Sequence, residues 1–427
     1  MKILIRAWAL FLARSLDRKM IRASKMGECM KIRTILVLVL LVVLVFVGRR
    51  VLAADEAWNA RMQAMAAAVT CLAPYVASDE KFNDVKNHLQ INSCVDDLWA
   101  QTKDLKDSLT KHAAAHSSDA LMQKDPLLSY MATSFAEDVE MAHSLVNSPT
   151  SSPYAQHLLR GTLSYCTGCH TRQEASATVK FPVLKDMTKD LPLTDRMKLL
   201  AATRNFNQAL AAFDQAIGTK ETEKLSSLEL ERAARLALSI AIRVDRNNDV
   251  ALKLIGQVEK LQRISPAFKD ELATWKTSLK TKEPLASGTQ LQRAKSLIEN
   301  AEATHGGLQV RVPQVEYLKA SSLLHGFMAT NPVGVKRAEA LYLLGDCYDH
   351  LETLGFWSMS EIYYESCVRS APHSEIAQRC FGSYKDSITI GYSGSAGINI
   401  PSNIQSNIRE LETLAKSPQR LKSKQTK

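Results

Sequence analysis

Glycine and proline are scarce in this chain, 17 and 13 of 427 residues. That scarcity, with 46% hydrophobic and 23% charged residues, excludes a collagen-like repeat, a disordered tail protein and a multispanning membrane protein. The glycine-dense loop Gly391 to Gly397 has no Gly-Lys-Ser/Thr to cradle a phosphate, so it is not a nucleotide-binding loop. There is no second C-x-x-C to complete a zinc cluster. At 47.3 kDa the chain is too long for one core, and roughly two or three domains are expected.

Acidic residues are fewer than basic ones, 44 against 54, but the excess is not spread over the chain. Residues 1 to 54 carry eleven basic side chains and two acids, and the stretch from Lys416 to the end adds five basic residues. The body from Asp55 to Ala415 is left at −4, which removes the ground for a nucleic-acid partner. Lys31 and Arg33 precede the apolar run Ile35 to Val47, and Val51-Leu52-Ala53-Ala54 follows. This reads as a secretory signal whose apolar run is shorter than the ~20 residues that span a bilayer. Arg49 and Arg50 are unusual there and keep an uncleaved inner-membrane anchor as the alternative. Translation is expected to begin at Met30, and a periplasmic body is expected to start near Asp55. The tail 416–427 reads as a basic, disordered end, with weak membrane-surface attraction as its minor alternative.

Export permits disulfides: Cys71 and Cys94 are either a helix-to-helix staple or two buried thiols, and Cys367 with Cys380 is a second candidate pair, which would leave Cys347 odd. The remaining two cysteines lie in Tyr165-Cys166-Thr167-Gly168-Cys169-His170. C-x-x-C-H is the attachment pattern of c-type haem. Two thiols one helical turn apart can each add to a porphyrin vinyl group, and the next imidazole reaches the iron. Dithiol redox chemistry and zinc are the rival readings. The first belongs in a βαβ unit, and the second needs a further Cys/His cluster, of which His112 and His116 are the one candidate.

Around the motif the apolar period is helical. Trp58, Met62, Met65, Val69 and Leu72 mark a first helix, and Ile91, Val95, Leu98, Leu105 and Leu109 a second that extends to His112 and His116. Asp125-Pro126 opens a third, and Ser152-Pro153 a fourth that carries Leu159, Leu163, Cys166 and His170 on one face. Four such helices with short connections predict an up-down-up-down bundle over 55–180. In that topology the start of helix one, the end of helix two and the start of helix three lie level with the motif, which brings Met62, Met65, Met131, His112 and His116 to its height.

A bundle with C-x-x-C-H near the end of its last helix resembles the class II c-type cytochromes, the cytochrome c-prime and cytochrome c-556 group, over about 120 residues. The resemblance implies one covalent haem c, with Cys166 and Cys169 as thioether residues and His170 as proximal ligand. It also implies a distal-facing residue about ten positions into helix one, which Met65 matches; His112 is the other distal candidate, and an open distal side is the third outcome.

From 190 to 415 helices continue in pairs. Ala209, Phe213 and Ala216 share their spacing with Ala320, Leu324 and Phe327, the latter followed by Pro332. Leu341, Leu344, Gly345 and Tyr348, then Tyr364, Cys367 and Pro372, form a third instance. This resembles a degenerate tetratricopeptide-type array, with a break over Lys276 to Gly288. The whole is expected to be all-α: a mono-haem bundle followed by a helical array. Expected is a non-enzymatic, exported one-electron carrier whose array docks a redox partner protein, with no nucleic acid; the sequence identifies no small-molecule substrate. A five-coordinate gas binder and a scaffold with structural haem are the alternatives.

Overall fold

A computed structural model describes residues 56–105, 107, 125–148, 152–172, 181–183, 188–283, 285, 287–304, 313–330, 332–351, 360–395 and 397–416. The expected signal segment with Met30, the tail beyond Lys416, and both His112 and His116 lie outside these residues.

The described chain is all-α. Its N-terminal helices are α1 (56–76), α2 (Asp79–Asn83), α3 (His88–Thr102), α4 (Pro126–Leu145) and α5 (Ser152–His170). Sequence chemistry sets several of these ends. Ser78 caps α2 by accepting from Lys81 N, and Asp125 caps α4 through its carboxylate on Leu127 N, with Pro126 in the first turn, where its missing N–H is harmless. Disulfide Cys71–Cys94 ties α1 to α3. α4 packs against both α3 and α5, and Gln156 Nε2 at the start of α5 donates 3.1 Å to the Val76 carbonyl at the end of α1.

Among the described residues eleven further α-helices follow: α6 (Leu193–Ala202), α7 (Phe206–Ile217), α8 (Ser227–Ser239), α9 (Asn248–Val258), α10 (Pro266–Lys280), α11 (Gln290–Thr304), α12 (Gln314–Ala329), α13 (Gly334–Leu351), α14 (Ser360–Ser370), α15 (Glu375–Gly391) and α16 (Ser402–Ala415). Helices α11 to α14 pack each on the next, and α15 and α16 close the end. The interruption expected from Lys276 begins later, at Thr281, because Leu279 is buried and keeps the last turn of α10 in the core. Gly391 to Gly397 includes the end of α15 and one side of a two-residue antiparallel hairpin, Ser393–Gly394 with Gly397–Ile398. Cys367 and Cys380 are bonded, and Cys347 is a buried free thiol.

α12 is buried almost all round, with Val315, Tyr317, Leu318, Ala320, Leu324 and Met328 at 1% exposure or less, so it forms the axis of the C-terminal helices. α13 and α14 approach closely at Gly345, where a Cβ would collide with the Tyr364 ring. One connected apolar core runs from Met65 through to Ala415. The N-terminal and C-terminal helices meet on two seams, α5 against α6 and α4 against α14.

Candidate functional site

The C-x-x-C-H turn occupies the C-terminal end of α5. At about 100° per residue, Cys166, Cys169 and His170 fall within roughly 100° of one another, on the stripe continued by Leu159 and Leu163. Leu159 and Leu163 are 1% and 4% exposed, so this stripe faces the core. Gly168 lies on the other side of the helix, against α4: a Cβ there would stand 2.7 Å from Met131 Cε. Met131 therefore packs behind the motif, away from the face that presents the thiols. Met65 is a buried residue of α1 in the same connected core, and Met62 is partly buried against it.

His170 Nδ1 is 2.6 Å from the carbonyl of Ala202. Ala202 is the last residue of α6, and the final carbonyls of a helix have no intrahelical donor. Arg204, in the left-handed region at φ 60°, turns the chain away immediately afterwards. The orphan oxygen is thus available to the imidazole, and accepting from Nδ1–H fixes the tautomer in which Nε2 carries a lone pair. Loss of water around the ring and then the Arg204 guanidinium lower the His170 pKa to about 3, outweighing the Ala202 contact, so the ring is neutral at pH 7.

Both thiols are free. Burial and then the neighbouring Cys169 push the Cys166 thiol up to about 12, and burial raises Cys169 as well. A thiol pair at the C-terminal end of a helix gains nothing from the dipole, which favours thiolates at the N-terminal end. The donor set fits a covalent haem: two thiols and one neutral imidazole, its second nitrogen already held, all on one face. It fits dithiol exchange poorly, because thiolate is disfavoured. Among the described residues no group of three or more His, Cys, Asp or Glu is arranged to hold a metal ion.

Directly behind the motif lies a polar cluster that sequence reasoning missed. Arg172 Nε donates to the Gly168 carbonyl at 3.2 Å, Nη1 to Asp125 Oδ2 at 2.7 Å, and Nη2 to Met131 Sδ at 3.3 Å. Asp125 and Arg172 are 1% and 3% exposed. Tyr363 of α14 donates to both Asp125 oxygens, at 3.1 and 3.3 Å. His325 of α12 brings Nδ1 to 2.9 Å of Asp125 Oδ2, off the ideal hydrogen-bond direction. Its Nε2 is 2.9 Å from the Tyr348 hydroxyl, which itself accepts from Arg243 Nη2 at 2.6 Å. With its oxygen taking the Arg243 proton, Tyr348 is left to donate to Nε2, so the His325 proton belongs on Nδ1, facing Asp125.

Burial opposes charge on Asp125, but Arg172, His325 and Tyr363 outweigh it and hold its carboxyl well below the usual range. Burial lowers the His325 pKa to about 4 against the pull of Asp125, so that ring is neutral. Arg243 sits in a π-helical turn, Ile240–Val244, where Asp245 N reaches back five residues to Ile240 O. The widened turn continues α8 to a fully buried guanidinium.

Comparison with protein-family models, curated proteins and solved structures finds no match.

Proposed function

We propose that this chain is an exported mono-haem c-type cytochrome that transfers single electrons. The observation that carries it is the C-x-x-C-H set on one core-facing stripe of α5, with His170 neutral and held at Nδ1 by Ala202. Bound haem supplies a one-electron iron couple. Cys166 and Cys169 tether its edge, and His170 presents Nε2. Ala202 keeps that nitrogen free of its proton, and the apolar stripe around Leu159 and Leu163 excludes water.

In this reading α1, α3, α4 and α5 act as a four-helix bundle of the class II cytochrome kind, and the helices from α6 onward as a degenerate tetratricopeptide-like array. Support for Met65 on the distal side is a matter of register. From the Gln156–Val76 contact, Cys166 lies ten residues forward on α5 and Ala66 ten residues back on α1. In an antiparallel pair, Met65 then stands level with Thr167, between the two cysteines, and Met62 with His170. A Met65 thioether would be a second protein ligand for the iron beside His170, and a haem held by both would favour outer-sphere electron transfer.

The test is the optical spectrum of the reduced protein, made in a maturation-competent host, with and without carbon monoxide. A low-spin spectrum that carbon monoxide leaves unmoved is expected. A carbon monoxide shift in the wild type would overturn six-coordination and favour a gas binder. Met65→Ala is expected to become carbon monoxide-sensitive, and an unchanged spectrum would remove Met65 as ligand.

A further inference from the structure

The helices from α6 onward are not separate from the motif. Arg172, the second residue past His170, touches Gly168, Met131 and Asp125 with its three nitrogens. Through Gly168 it caps the last turn of α5, the turn that carries both cysteines. The helix end would otherwise leave such carbonyls without donors, and a frayed turn would lose the common face of Cys166, Cys169 and His170.

A guanidinium at 3% exposure holds that position only if its charge is met. Asp125 meets it, and Asp125 is aimed by two C-terminal side chains, Tyr363 and His325. His325 is aimed in turn by Tyr348. The path from α14 to the motif, Tyr363 to Asp125 to Arg172, is three side chains long, continuous and buried. The second seam, Ala202 to His170, reaches the same turn from α6.

We propose that Tyr363 and His325 are positioning residues for the Cys166–His170 turn: through Asp125 they fix Arg172, and Arg172 holds the turn closed. The C-terminal helices are then a wall of the haem site and not only a docking module. The consequence for haem rests on the cytochrome reading; the clamp on the turn does not.

Two arms separate the two. In haem-free protein, alkylation of Cys166 and Cys169 is followed by mass mapping for wild type, Tyr363→Phe, His325→Leu and the remote control Tyr384→Phe, which loses only the Tyr384–Asn407 contact. The clamp variants are expected to label about tenfold faster, the factor equivalent to ~1.4 kcal/mol of easier opening, and the control at the wild-type rate. Tyr363→Phe keeps its ring stacked on Tyr348 and decides alone should His325→Leu not fold. In haem-loaded protein, Tyr363→Phe is expected to shift the midpoint potential and the ferric spectrum, and Tyr384→Phe neither. Wild-type labelling in a folded Tyr363→Phe variant overturns the clamp even when haem is bound. Faster labelling in a protein that never retains haem upholds the clamp and sinks the cytochrome reading instead.

Discussion

Replacing Asp125 with Asn keeps the volume of the side chain and an oxygen for the Leu127 N–H, and removes the charge opposite Arg172 together with the second acceptor oxygen that Arg172, Tyr363 and His325 face. The partners are 0% and 3% exposed at their side chains and 2.7 Å apart. Removing one member of a buried pair costs about 3–5 kcal/mol, because the remaining charge stays buried without compensation. That is a large part of the ~5–15 kcal/mol by which domains are stable. Urea unfolding of wild type, Asp125→Asn, Arg172→Met and the double variant closes a thermodynamic cycle. The single Asp125→Asn variant is expected to lose about 3 kcal/mol or more, and the double variant to recover most of it, since no unpaired guanidinium remains. The sign with pH follows from the depressed carboxyl of Asp125. Its contribution is complete above the ordinary carboxylate range and is lost as pH falls through the lower folded value. The gap between wild type and Asp125→Asn should therefore be flat from about pH 5 to 8 and close only in stronger acid. A loss below about 1 kcal/mol, or a double variant no better than the single, would refute the buried pair as the anchor on which Tyr363 and His325 of the C-terminal helices close.

Other outcomes follow from the packing. Each disulfide closes a short loop, 23 residues for Cys71–Cys94 and 13 for Cys367–Cys380. A Cys→Ser replacement of either pair is expected to cost about 3 kcal/mol, read as a lower Tm that reductant no longer changes once both pairs are gone. Gly345→Ala forces a methyl into the Tyr364 ring between α13 and α14 and should cost about 1–3 kcal/mol in urea unfolding. Gly168→Ala meets only the free end of Met131 and should stay within about 1 kcal/mol of wild type by the same measure; the opposite ranking would show that Met131 is held more rigidly than the Tyr364 ring.

Local chemistry made part of this molecule legible in its sequence. Asp125-Pro126 and Ser152-Pro153 mark the openings of α4 and α5 because capping acts within a few residues. C-x-x-C-H could be found for the same reason, and Cys71–Cys94 and Cys367–Cys380 because adjacent helices set the distance between them. The cluster behind the motif was hidden because its members come from far apart: Tyr363 and Asp125 are separated by 238 positions. Asp125 was correctly seen as a helix cap, and that local role masked its second one as the counter-charge of Arg172. No periodicity or spacing records that the Ala202 carbonyl, a backbone atom in the next helix, would meet His170. The π turn at Arg243 likewise leaves the sequence pattern of α8 intact while changing where its last side chains point.

Intact mass of the denatured protein after expression with the c-type maturation machinery tests the central proposal most directly. Expected is a mass higher by one haem, lost in the Cys166→Ser/Cys169→Ser variant and retained in His170→Ala with an altered spectrum. An unmodified mass in folded wild-type protein would contradict covalent haem on this motif, and electron transfer through it with it.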